Sequence, residues 1–110
     1  MRTSPLMSIY DQWTQPSYAI RVRGTVTPKF LWGGGGITEN ITFDKPLLLH
    51  IRNDVFGEQI TVGTQVASGA QTPLGILDRG ECVSIPLQGI CGVYATCTLE
   101  STVACMIKES

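Results

Sequence analysis

Gly92-Val93-Tyr94-Ala95-Thr96-Cys97-Thr98, then Leu99-Glu100-Ser101, then Thr102-Val103-Ala104-Cys105-Met106-Ile107: this stretch decides the fold. Val93, Ala95 and Cys97 alternate with their neighbours, and Val103, Cys105 and Ile107 do the same further on. Period-2 alternation belongs to a strand with one face in a core, because successive Cβ atoms point to opposite sides. Leu99-Glu100-Ser101 reads as a turn, so the segment predicts a terminal hairpin with arms at 92–98 and 102–107 and both apolar sets on the same side.

The same pattern recurs upstream. Over 18–23, Tyr18, Ile20 and Val22 face a core while Arg21 and Arg23 face water. After Gly24 a second short strand, 25–31, is interrupted by Pro28, which suits an edge or a bend. Residues 37–43 place Ile37, Ile41 and Phe43 opposite Thr38, Asn40 and Thr42. Asp44-Lys45-Pro46 turns the chain into Leu47-Leu48-Leu49-His50-Ile51-Arg52, apolar on both faces at its start like a central strand. Residues 59–67 direct Ile60, Val62 and Val66 inward, 68–73 form a loop of small residues, and 74–77 make a short apolar strand. Asp78-Arg79-Gly80 is a turn, and 81–87 a further strand. Composition agrees: Thr, Val and Ile supply 30 of the 110 residues, against 22 for Ala, Leu, Glu and Lys. The expected fold is all-β, an antiparallel sandwich of jelly-roll or immunoglobulin-like type with about seven to eight strands. It forms a single domain over 17–110. Residues 1–16 lack a clear period and end at Pro16, with Tyr10 and Trp13 among polar neighbours. They read as an extended arm that either folds back on its own domain or docks on a neighbouring subunit.

Charged residues make up 15% of the chain and the net charge is −1. That is below the ~25% of a typical soluble domain, so little repulsion keeps copies apart. Arg21 and Arg23 are the densest positive pair, too few for the phosphate contacts on which nucleic-acid affinity rests. The opening Met1-Arg2-Thr3-Ser4-Pro5-Leu6 has no apolar signal region, and no stretch is long enough for a membrane span. The chain is therefore expected to stay where it is made.

Candidate chemistry is sparse. Cys82, Cys91, Cys97 and Cys105 are spaced by 9, 6 and 8 residues, which matches no zinc or redox pattern. They read as buried free thiols, with one or two bridges as the alternative, and Cys97 and Cys105 fall diagonally across the expected hairpin, close together but reduced. His50 is the only histidine and shares a strand face with Leu48 and Arg52, the setting of a packed residue and not of a base. Asp11, Glu39, Asp44, Asp54, Glu58, Glu81 and Glu100 are scattered over turns and strand edges. Asp54-Val55-Phe56-Gly57-Glu58 matches a calcium loop only at its ends. Gly33-Gly34-Gly35-Gly36 lacks the Lys-Ser/Thr of a phosphate loop, and Cys91 to Cys97 contains no base to activate a thiol. The Asn40-Ile41-Thr42 sequon is expected to be silent without a secretory signal. Tyr10, Trp13, Trp32 and Tyr94 either build a stacking platform or plug the ends of the sandwich. No catalytic residue, metal ligand or cofactor site is expected.

Leu77-Asp78-Arg79-Gly80-Glu81-Cys82-Val83-Ser84-Ile85-Pro86-Leu87, with Gly89-Ile90-Cys91-Gly92-Val93-Tyr94-Ala95 and Ser101-Thr102-Val103-Ala104-Cys105-Met106-Ile107, resembles the closing strands of small β-sandwich virion proteins of tailed bacteriophages. In that pattern a turn and a Val-Ser-Ile-Pro-Leu strand precede a Gly-rich connection and a terminal hairpin. The resemblance implies a capsid decoration, cement or minor structural subunit that catalyses nothing. It implies self-association as a trimer or larger, contact with other virion proteins such as the major capsid protein, and assembly in the host cytoplasm. Neither nucleic acid nor membrane is an expected partner. The alternatives are a carbohydrate- or ligand-binding module using Trp32 and its glycine loop, and a small hydrolase using His50.

Overall fold

The computed structural model describes residues 17–34, 39–41 and 43–109. The described residues form six strands: β1 (Tyr18–Gly33), β2 (Leu47–Asn53), β3 (Ile60–Gln65), β4 (Gln71–Leu77), β5 (Cys82–Pro86) and β6 (Gly92–Glu109). All pairings are antiparallel, in the order β4-β3-β6-β2-β5, with β1 alongside β6. The fold is all-β, as the alternation requires. The expected arm at 1–16 lies outside the described residues.

The terminal hairpin is corrected. Residues 92–109 are one 18-residue strand, and Leu99-Glu100-Ser101 bends it without reversing it. No Gly, Pro or Asn supplies a turn there, and the polar residues have partners that hold them in the sheet. Glu100 lies opposite Arg23 and binds the Nε of Arg21 at 3.1 Å and of Arg23 at 3.2 Å. The expected strands 18–23 and 25–31 likewise merge into β1, which remains an edge strand, as Pro28 suggested. Of the strand expected at 37–43, the described part is an isolated bridge between Ile41 and Ile90. The small-residue loop expected at 68–73 is shorter, because β4 already begins at Gln71.

β6 organises the sheet. Residues 92–97 are flanked by β1 and β3, whereas 103–109 are flanked by β2, with β1 along the opposite edge to Cys105. β3 then carries β4, and β2 carries β5. The sheet thus has two arms that share β1 and β6. The corner between them is marked by register shifts on either side of Gly24, which sits at φ +82°, a conformation that favours glycine. The Tyr18 hydroxyl donates to the Leu31 carbonyl at 2.7 Å, although the two residues are 13 apart. A straight strand would separate them by about 43 Å, so β1 doubles over at the corner. The two layers of the expected sandwich are therefore two arms of one curled sheet, a half-barrel closed around a single core. The shifts also switch faces: Val22 points inward before the corner and Leu31 beyond it. Leu49, Ile51, Ile60, Val62, Val93 and Val103 complete the centre.

Asn53 is the last residue of β2 and fully buried. Its Nδ2 donates to the carbonyls of Glu58 at 2.7 Å and Leu77 at 3.2 Å, and the buried Ser101 hydroxyl donates to its Oδ1. Its main chain joins Glu81 at 2.9 Å and Gly80 at 3.0 Å. One amide thus ties the end of β2 to the corner of β6 and to the far arm. Gly57 lies against the same hydroxyl, where a Cβ would come within 2.0 Å of Ser101 Oγ. Asn53→Ala is expected to cost about 3 kcal/mol in urea unfolding, because it orphans the buried Leu77 carbonyl, the buried Ser101 hydroxyl and the partly buried Glu58 carbonyl. Gly57→Ala should destabilise as well, by forcing the loop off Ser101.

Candidate functional site

The residues singled out for chemistry fall apart in space, with one exception. His50 Nδ1 lies 2.9 Å from Ser84 Oγ, because the two are direct partners across β2 and β5. This is a base-to-hydroxyl spacing. Among the described residues, however, no carboxylate bonds the other ring nitrogen to orient it, and the pair lies on an outer face with Arg52 and Met106 nearby. A cross-strand hydrogen bond accounts for it. Asp54 Oδ1 accepts the Phe56 N–H at 3.3 Å and Glu81 Oε1 accepts the Asp78 N–H at 2.7 Å, so both carboxylates cap turns. Among the described residues no group of acidic, histidine and cysteine side chains could hold a metal ion.

The cysteines follow the merged strand. All four are free; Cys91, Cys97 and Cys105 are buried, whereas Cys82 is exposed, contrary to the expectation that all would be covered. The diagonal hairpin placement of Cys97 and Cys105 is corrected too. Both belong to β6, Cys97 beside Gly24 and Ile60, Cys105 beside Tyr18 and Ile51. Burial pushes the Cys105 thiol up to about 11, an effect partly offset by the adjacent Tyr18 hydroxyl. Burial, with Cys105 beside it, also raises the Tyr18 phenol far above its usual value.

The described aromatics do not build a platform. Trp32 is half-buried and tilted at 52° against Phe43, with ring centroids 6.2 Å apart. Tyr94 is buried across Gly63, where a Cβ would meet its ring. Tyr10, Trp13 and residues 35–36 of the glycine run lie outside the described residues.

Exposed apolar side chains are the remaining feature. Phe56 is 90% exposed at the tip of the turn between β2 and β3, with Val55 beside it. Leu74 and Ile76 stand out from β4, at 52% and 62% exposure. β4 and β5 are the two ends of the sheet, and they do not pair. Val83 on β5 is the partner of the fully buried Ile51, yet it is 37% exposed, since among the described residues no strand pairs with the other side of β5. Between them lies a groove of about 160 Å³ lined by Val62, Leu74, Gly75, Ile76, Leu77 and Val83. The apolar run at 74–77 is legible in the sequence as a short strand, but its exposure is not, and Phe56 falls there within a segment that matches a calcium loop only at its ends. An apolar pair, Val55-Phe56, inside an Asp-to-Gly turn was the available signal.

In the native protein at neutral pH, a thiol reagent is expected to modify Cys82 alone; intact-mass measurement before and after unfolding checks this. Stability should fall as pH rises from about 9, where the unfolded Cys105 thiol loses its proton and the folded one keeps it, and this contribution should level off near 11. Cys105→Val should remove that part of the slope in pH-dependent urea titrations. His50→Ala, which loses one hydrogen bond on a half-exposed face, should change stability by no more than about 1 kcal/mol in a thermal melt.

No family model matches the chain, and no curated protein matches it. Among solved structures it is similar to one described as Bacillus endospore appendages that form a novel family of disulfide-linked pili. The TM-score is 0.49 and the identity 9%, over 86% of this chain and 84% of that one. A likeness at that level carries no conclusion about what this chain does.

Proposed function

We propose that this chain is a structural subunit that self-associates and has no catalytic activity. The observation that carries the reading is the apolar surface kept in water by an otherwise well-packed fold: Phe56, Leu74 and Ile76. Large exposed apolar groups set beside a groove mark interaction surfaces more often than solvent-facing ones. β4 has no charged residue between Gln71 and Leu77, so the usual guard of an edge strand is absent. The ladder itself is blunted by Pro73 and by Leu74, the extra residue of a bulge opposite Val62 and Gly63. Contact through side chains is favoured over extension of the sheet.

The finer proposal, a decoration, cement or minor structural subunit of a virion in contact with its major capsid protein, is supported by the resemblance quoted above. Of that pattern the turn and the strand that became β5 remain, while the closing hairpin does not. Flanking genes for capsid or tail proteins would support this location, and neighbours of another kind would count against it.

Sedimentation velocity across a wide concentration range is the direct test, with a trimer or larger expected. A monomer at every concentration, failing also to bind particles, would refute the reading. Because the contact is apolar, raising sodium chloride should leave association unchanged or strengthen it, whereas an interface held by ion pairs would weaken.

A further inference from the structure

We propose that Phe56 of one copy seats in the groove between β4 and β5 of another. This rests on the self-association proposed above and names its contact. The donor is preorganised. Its turn is held by the Gly57 N–H on the Asp54 carbonyl at 3.1 Å and by the Phe56 N–H on Asp54 Oδ1, and Asn53 ties down Glu58 behind it. Val55 is packed towards Gly80, where a Cβ would lie 3.2 Å from Val55 Cγ1. The phenyl ring is thus presented on a fixed base and loses little freedom on docking.

The acceptor fits in size and in chemistry. The groove measures about 160 Å³, and an apolar cavity of about 150 Å³ accommodates benzene. Its lining residues carry no polar side chain, and Gly75 leaves open space where a side chain would have filled it. No charge on β4 opposes the approach of a second copy. Knob and groove occur on the same chain, so a second copy supplies whatever the first lacks.

Complementation tests the contact. Phe56→Ser removes the knob, Ile76→Lys places a charge at the groove rim, and Leu99→Ser removes a comparably exposed apolar residue elsewhere, at 66% exposure. All three positions face solvent, and thermal melts verify that each variant folds. Phe56→Ser and Ile76→Lys should each weaken self-association at least about tenfold, with Leu99→Ser unchanged. An equimolar mixture of the two defective variants should associate again, because the intact Phe56 of one meets the intact groove of the other. A benzophenone amino acid in place of Ile76 should cross-link to residues 54–57 of another copy. The proposal is overturned if Phe56→Ser associates like the wild type, if Leu99→Ser is equally impaired, if the mixture stays dissociated, or if the cross-link falls on residues 1–16. In those cases the self-association reading stands, provided the wild type associates. A monomeric wild type overturns both.

Discussion

The corner shared by β1 and β6 is the constraint on which the rest of this structure depends, and the buried amide of Asn53 holds it. Two long strands must change direction together, and two of their three register slips fall on either side of Gly24, opposite the segment that follows Cys97. A sheet bent in this way puts its arms face to face, and the core forms between them. Burying a carboxamide is costly unless its hydrogen-bonding groups are met. Here they are met by groups from both arms and from the corner itself: Leu77, Glu58 and Ser101. That bonding is available only when the arms have closed to the observed angle. The network therefore specifies the bend as well as stabilising it.

Bending without full closure has a consequence at the opposite side. A closed barrel has no edges, whereas this half-barrel keeps them, β1 along β6 and β4 and β5 at the ends of its two arms. Val83 points towards the core and still sees solvent, because among the described residues no strand pairs with the outer side of β5. The groove is the unfinished seam of the barrel. The same Asn53 network that sets the bend also fixes the turn carrying Phe56, so the exposed ring and the exposed groove derive from one architectural choice. A weakly charged surface then leaves the apolar features to dominate contacts between copies.

The polar chemistry of the chain has been used in building the fold. Ser84 meets His50 because β2 and β5 are in that register; Asp54 and Glu81 cap turns; Glu100 sits between two arginines across the β1–β6 ladder. The buried thiols pack as small apolar groups, and the Tyr18 phenol beside Cys105 is engaged in bridging the two halves of its own strand.

Period 2 made the inward faces legible before any coordinates: Tyr18, Ile20 and Val22, then Ile60 and Val62 occupy the side that their alternation assigned. The continuity of β6 was also written in its phase, since Val93, Ala95, Cys97, Ser101, Val103, Cys105 and Ile107 are all inward and all odd-numbered. What obscured it was a polar triplet in which Ser101 is buried. A serine reads as a turn residue unless its partner is known, and that partner is 48 residues away. The sequence by itself determined the all-β class and the core faces at 18–23, 60–62 and along β6, because alternation is a local property of the chain. Only the tertiary structure decided that four expected strands become two, that Asn53 is a hub, and that Phe56 and the β4–β5 groove stay open to solvent. Each of these depends on where the sheet bends, and a bend is set by contacts between residues far apart in sequence.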